Sequence, residues 1–412
     1  MSTDDLDRHL RPHDVLVAAQ VLGEPTALLE LLYEQTAHLE GLRLFVGMSL
    51  TDIHARCPDH IRLVTSIGMP PTGGLIARGA MDLVPCHMSE LPWLLTDGPL
   101  AADVALIQVS PPDADGWCSL GVISDYIWPA LHRARVVLAE INDQVPVVGG
   151  DTRVHIDQIT ASIRTSRALP DHPTAVPTDL ERAIAANVAS FVRDGSCIQI
   201  GIGKLGEAVL QAVGDRRDLG VHSGMVGDTH LQMMRDGIIT NKAKEIDSGL
   251  SVAGSILGSR RAVALAADEP NLTLREIGHT HDPAAIAALS RFVCINSALE
   301  VDIFGQVNSE TAGGRYVGAI GGAVDFLRAS VRAPEGRSIV ALPAATGKGL
   351  SRIVPRVERV TALGADIDIV TTEHGIADVR GCSAGERAHR IIAIAAPHAR
   401  DALHQAATQA GL

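Results

Sequence analysis

Positive charge and aromatic side chains are what this 412-residue chain has least of. Lys and Arg number 35 against 48 Asp and Glu, a formal net charge of −13. Nucleic acids and anionic membrane surfaces are held through broad basic fields, so neither is expected as a partner, and any anionic ligand must be held locally. Aromatic residues are 5 Phe, 3 Trp and 3 Tyr beside 39 Gly, a balance suited to small-residue helices packed on buried parallel strands. The six cysteines (57, 86, 118, 197, 294 and 382) form no C-x-x-C pair and read as reduced cytosolic thiols. No apolar run reaches the ~18 residues that a membrane span requires. The opening Met1-Ser-Thr-Asp-Asp-Leu-Asp-Arg8 is acidic, unlike a signal or transit peptide, so a soluble cytoplasmic protein is expected. The seventeen histidines show no H-E-x-x-H spacing, and no metal is expected.

Short β-branched runs alternate with helical periods, the pattern of α/β units around a parallel sheet. Strands are expected at Val15–Ala19, Leu42–Val46, Ile61–Thr65, Val104–Val109 and Val136–Ile141, and Glu24-Pro25-Thr26 opens a helix through Gln35. At about 150 residues per domain the length implies two or three domains. The best linker is 165–178, with three prolines at 170, 173 and 177. It places the boundary between an N-terminal domain, 1–175, and a C-terminal domain, 176–412. Thr178-x-x-Glu181 is a capping box for the helical run that follows. Next come a strand Cys197–Ile200, the turn Gly201-x-Gly203-x-x-Gly206 opening a helix, and a strand expected to end near His222–Gly224.

The glycines mark candidate ligand-binding turns. Gly201-x-Gly203-x-x-Gly206 has the strand-then-helix context of a dinucleotide fingerprint. It lacks the acidic residue about 20 positions on, which favours a backbone-lined turn for another ligand. The stretch Gly318-Ala-Ile-Gly321-Gly322 exposes backbone N–H groups able to hold an oxyanion when a thioester or ester carbonyl is attacked; it also reads as a plain loop. The acids at 300, 302 and 310 precede it, each a candidate nucleophile or general base if not merely solvated. Lys348 and Arg352, in a Gly-rich turn after the apolar run Ile339–Leu342, are candidates to meet a phosphate.

Eight strings in order resemble one family: Val109-Ser-Pro-Pro-Asp-Ala-Asp-Gly-Trp-Cys-Ser-Leu-Gly121, Ile200-Gly-Ile-Gly203, Leu219-Gly-Val-His222, Ile295-Asn-Ser-Ala-Leu-Glu-Val-Asp302, Gly305-Gln-Val-Asn308, Gly321-Gly-Ala-Val-Asp-Phe326, Ser351-Arg-Ile-Val-Pro355 and Val370-Thr-Thr-Glu-His-Gly375. These are similar to the acetyl-CoA hydrolase/transferase family, which includes 4-hydroxybutyrate CoA-transferase. The resemblance implies two similar open α/β domains of CoA-transferase type with mostly parallel sheets, an active site at their interface, and a homodimer or higher homo-oligomer. It implies coenzyme A as part of an acyl-CoA substrate, a small carboxylic acid as a second partner, and no metal. It makes Gly321 and Gly322, with Gly318 nearby, the oxyanion and CoA-binding loop, places Gln199, Gly201 and Gly203 along the cleft, and puts Lys348 and Arg352 near the nucleotide end of CoA. In the family a catalytic glutamate stands two residues after the histidine. Here the string reads Gly220-Val-His222-Ser-Gly224-Met225, so a glutamyl-CoA intermediate cannot form at that position.

Three readings follow. The first is hydrolytic cleavage of an acyl-CoA, at its thioester or at a C–C bond of a CoA-linked substrate, with Glu300, Glu310, Asp228 or His222 activating water. The second is CoA transfer between carboxylic acids by a relocated carboxylate or a ternary complex. The third is a non-catalytic acyl-CoA-binding protein.

Overall fold

The computed structural model describes residues 6–412. Among the described residues two compact units form: one from 6–173, 224–231 and 252–280, the other from 174–223, 232–251 and 281–412.

The first unit is built on a seven-stranded sheet. In chain order its strands are β1 Val15–Ala18, β2 Leu42–Phe45, β3 Ile61–Thr65, β4 Met81–Leu83, β5 Val104–Val109, β6 Val136–Asn142 and β7 Ala161–Thr165. They lie side by side as β7-β6-β5-β1-β2-β3-β4, every neighbour parallel. β1, β5 and β6 are buried at every residue, as a sheet covered on both faces requires. Helix Thr26–Gln35, whose proline lies just before its first turn, packs Leu28, Leu29 and Leu32 into the cluster formed by Leu16, Leu44, Leu63, Leu106 and Leu138. From β1 the chain winds outward through β2, β3 and β4, then returns beside β1 and winds the other way through β5, β6 and β7. The order therefore reverses between β1 and β5, and the carboxyl ends of those two strands form a topological switch point.

The second unit is built on six adjoining strands of a nine-stranded, mostly parallel sheet. Its strands are β8 Cys197–Ile200, β9 Gly220–Val226, β10 Phe292–Ser297, β11 Arg337–Ala341, β12 Ile369–Thr372 and β13 Gly375–Asp378. They run β13-β12-β11-β10-β8-β9, antiparallel only between β12 and β13. A second reversal falls between β8 and β10. The expected capping box is present: Glu181 accepts from the Thr178 N–H at 2.7 Å and opens helix Asp179–Ala189. One expectation changes. β9 does not stop at His222–Gly224 but extends to Val226, so Gly224 lies inside a strand. No helix among the described residues is long and apolar enough to cross a membrane.

Candidate functional site

The carboxyl ends of β8 and β10 bring together a polar group. The Gln199 Oε1 accepts from Asn296 Nδ2 at 2.8 Å and from Cys294 Sγ at 3.1 Å. Burial pushes the Cys294 thiol well above its ordinary range, so it acts as a neutral donor rather than a nucleophile. The Gly201 turn follows at the same edge. A side chain at Gly201 would reach the Asn296 amide oxygen at 2.9 Å, and one at Gly206 would meet the Gly201 carbonyl oxygen at 2.0 Å, so the turn closes only on glycine. Gly203 has φ +109° with open space around its α-carbon, and it begins helix Lys204–Ala212. Backbone N–H groups at such a helix start favour negative charge. Gln199, Gly201 and Gly203 thus lie together, joined by Asn296. Asn296 belongs to the string Ile295–Asp302 noted above, but only its place at the end of a buried strand beside the switch point assigns it to this group.

The Gly321-Gly322 pair is a helix start rather than a plain loop. Gly321 adopts φ +58°, and Gly322 precedes helix Ala323–Ser330. A side chain at Gly322 would stand 2.2 Å from His281 Nε2. The His281 ring packs on Phe326 at 4.7 Å between centroids, and burial lowers its pKa to about 3, so it supports the turn as a neutral imidazole. Gly318 is fixed differently: its N–H donates to the Glu310 carbonyl at 3.0 Å, and a Cβ there would fall 1.9 Å from the Ser309 carbonyl oxygen.

The candidate acids are held by neighbours. Asn308 links two of them, donating to Glu300 Oε2 at 3.1 Å and accepting from the Glu310 N–H at 3.0 Å. The buried Glu310 carboxyl also accepts from the Thr361 hydroxyl at 2.9 Å. Asp302 accepts from the N–H groups of Phe304 and Gln306 and from the Gln306 side chain, which makes it a turn-former. Asp228 belongs to the first unit, where it accepts from the Ser259 N–H at 2.9 Å and from the Ser259 hydroxyl at the start of helix Arg260–Ala267. It serves as an anchor for that helix. His222 is fully buried in β9, with Asp247 within reach: one ligand-type atom of each lies within 4.8 Å of the other. Lys348 lies on an open turn between Gly347 and Gly349, while Arg352 Nη1 donates to the Ala298 carbonyl at 3.4 Å.

β9 itself is held by side chains standing in for a strand. Asn241 Oδ1 accepts from the Val221 N–H at 2.9 Å, and the buried Lys244 donates to the carbonyls of Val221 at 2.9 Å and Leu250 at 2.7 Å. Burial lowers the Lys244 pKa from its ordinary value. Neither residue stood out in the sequence, where a lone Lys reads as surface.

Comparison with known proteins fits this geometry. Residues 1–200 match the acetyl-CoA hydrolase/transferase N-terminal domain, and residues 258–407 match the corresponding C-terminal domain. The 4-hydroxybutyrate coenzyme A transferase of Clostridium kluyveri is 33% identical over 95% of this chain and 93% of its own length. The chain belongs to the acetyl-CoA hydrolase/transferase family. An acetyl-CoA hydrolase of Saccharomyces cerevisiae is 26% identical, covering 90% of this chain and 80% of the yeast protein. Among solved structures, RipA from Yersinia pestis superposes with a TM-score of 0.93 at 30% identity, covering 98% of this chain and 95% of RipA. A 4-hydroxybutyrate CoA-transferase from Porphyromonas gingivalis gives a TM-score of 0.82 at 32% identity, covering 98% and 96% of the two chains. The family contains acyl-CoA hydrolases and CoA transferases, so this chain is an enzyme of that kind, and the two-domain mostly parallel α/β architecture is the one expected.

Proposed function

We propose that this protein cleaves an acyl-CoA thioester by passing the acyl group to water. The observation carrying this reading is Gly224 within β9: the strand that bears His222 offers no carboxylate at that position to form an enzyme-bound acyl intermediate. The glycine turns support binding and charge stabilisation. The Gly201–Gly203 turn suits the anionic end of the substrate, and the N–H groups at Gly321–Gly322 suit the oxygen that becomes negative when the carbonyl is attacked. His222, with Asp247 close by, and the acids Glu300 and Glu310, linked through Asn308, are groups able to handle protons, while Lys348 and Arg352 present charge to phosphates.

The reaction forms a C–O bond from water to the thioester carbon, breaks the C–S bond and yields a carboxylic acid and free CoA thiol. Purified protein should release thiol from acyl-CoAs of different chain length with no acceptor acid present, read with a thiol-reactive chromophore. Release that appears only on adding acetate, butyrate or another acid defeats hydrolysis. That outcome supports a second reading, transfer of CoA between acids, which the 33% identity to a transferase against 26% to a hydrolase favours.

A further inference from the structure

Just past the carboxyl ends of β1 and β2 of the first sheet lies a buried carboxyl group not yet described. Asp125 is 3% exposed. Its Oδ2 accepts from the Gln20 amide at 2.6 Å and its Oδ1 from the Tyr126 N–H at 2.6 Å. No cation pairs with it among the described residues. The surrounding groups fix it firmly. Gln20, two residues past β1, accepts from the Met48 N–H at 2.8 Å, and the Tyr126 hydroxyl donates to the Ala18 carbonyl at 2.8 Å. Gly47 gives them room, since a side chain there would stand 2.1 Å from Gln20 Oε1 and 2.6 Å from the Tyr126 hydroxyl. Asp125 itself sits at φ +42°, a conformation that L residues adopt at a cost, and one that recurs where function demands a fixed side chain.

The returning segments of this unit bring β9 backbone to the same place. Ser124 donates its N–H to the Gly254 carbonyl at 2.9 Å, and the Ile277 N–H donates to the Asp125 carbonyl at 3.3 Å. A Cβ at Gly254 would touch the Gly224 carbonyl oxygen at 2.9 Å and the Asp125 Cβ at 3.7 Å. Asp125 is therefore a near neighbour of Gly224. The adjoining hydroxyls of Ser124 and Ser255 are buried without a hydrogen-bond partner, which leaves them free to accept or donate to a small polar guest. A buried, unpaired carboxyl beside spare hydroxyls is a place for chemistry rather than for stability, because desolvating such a group works against the fold.

We propose that Asp125 is the general base of the hydrolytic reaction, taking a proton from the water that attacks the acyl-CoA. This rests on the hydrolytic reading above. The water oxygen bonds to the thioester carbon as its proton passes to an Asp125 oxygen. Collapse of the tetrahedral adduct breaks the C–S bond, and the proton held on Asp125 goes to the departing sulfur. Acid and free thiol leave, and Asp125 is again a carboxylate. Burial raises the Asp125 pKa to about 6, which keeps it largely ionised yet basic near neutral pH. The charged groups on adjoining elements are Glu24 after β1 and, on the returning segment, Glu276 and Arg275, whose guanidinium pairs with Asp151 at 2.9 Å. Tyr126, the other titratable group in contact, is pushed far above its ordinary range by burial and stays neutral.

The test compares wild type with Asp125→Asn, a residue that also tolerates left-handed φ. Thiol release from acetyl-CoA and butyryl-CoA is followed from pH 5 to 8 without acceptor acid. The substitution should lower kcat roughly 100-fold or more with KM within about threefold, and abolish the fall in kcat on the acid side, whereas Asp125→Glu should restore part of the rate. A kcat within about threefold of wild type, or an unchanged acid limb, overturns the role of Asp125 while leaving hydrolysis intact. An acyl adduct found on the Asp125 peptide by mass spectrometry also overturns it, in favour of a nucleophile. A wild type silent without added acid overturns the hydrolytic reading itself. Should Asp125→Asn fail to fold by circular dichroism, Gln20→Glu replaces the amide donor with a second acid and should move the acid limb upward by about one pH unit, and an unmoved limb counts against the proposal.

Discussion

His281 shows why a glycine is required at position 322 and what that contact implies for stability. Its imidazole fills the space a Cβ would need, and its depressed pKa, about 3 in the fold against 6.5 for an exposed histidine, follows from burial. His230 behaves alike, at about 4. Between those values and 6.5 the unfolded chain binds more protons than the folded one, so these histidines stabilise the fold fully above pH 6.5 and lose that contribution as pH falls. His281→Gln, which cannot take up a proton, should flatten the decline of melting temperature between pH 6.5 and 4, whatever it does to the absolute value at pH 7. A slope equal to that of wild type would show that the ring is solvated. Asp125 has the opposite sign. Its raised pKa means that its contribution is fully present below about 3.8 and is lost as pH rises through about 6, so Asp125→Asn should gain stability at pH 7.5 relative to pH 4.5. Gly224 sets a third residue-scale expectation. Gly224→Glu should create acceptor-dependent CoA exchange, measured as labelled acetate entering acyl-CoA, if the surrounding cleft retains transferase geometry; an inert variant counts against that geometry.

At the scale of elements, the strands of the first sheet were legible because each is a buried run of β-branched and aliphatic residues, and the helix at 179 because Thr178 and Glu181 announce its start. β9 was harder to read. Its carboxyl half, Ser223-Gly-Met-Val226, contains a glycine and no strong alternation, so the sequence implied an earlier end; pairing in the sheet, not local preference, carries the strand on. Its amino half depends on Lys244, a residue whose burial no local pattern announces. Lys244→Met keeps the aliphatic stem but removes the donor to the Val221 and Leu250 carbonyls, and should cost about 1–3 kcal/mol in urea unfolding. A change below about 0.5 kcal/mol would mean that water replaces the ammonium group. The candidate acids illustrate a further limit. Glu300, Glu310 and Asp228 are alike candidate bases in the sequence; the hydrogen bonds of Asp228 at a helix start and of Glu310 to Thr361 are not legible there, because the partners come from segments far away in the chain.

On the scale of the whole molecule, each unit draws on separated stretches of chain. The first is completed by 224–231 and 252–280, which supply the Gly254 carbonyl to Ser124, the Ile256 N–H to Val122, and Arg275 to Asp151. A fragment ending at 173 should therefore expose the apolar surface around Val122 and Ile123, bind a hydrophobic dye and melt without a cooperative transition; a sharp melt would show that the returning segments are dispensable. What the sequence by itself determined is the α/β class, the glycine turns and the family, since those rest on composition, local periodicity and ordered motifs. What only the tertiary structure decided is which strands adjoin, where the two switch points fall, and which polar groups meet. Gln199 and Asn296 lie 97 residues apart, and Gln20 and Asp125 lie 105 apart. Strand order alone joins them, through long-range packing that no local signal encodes.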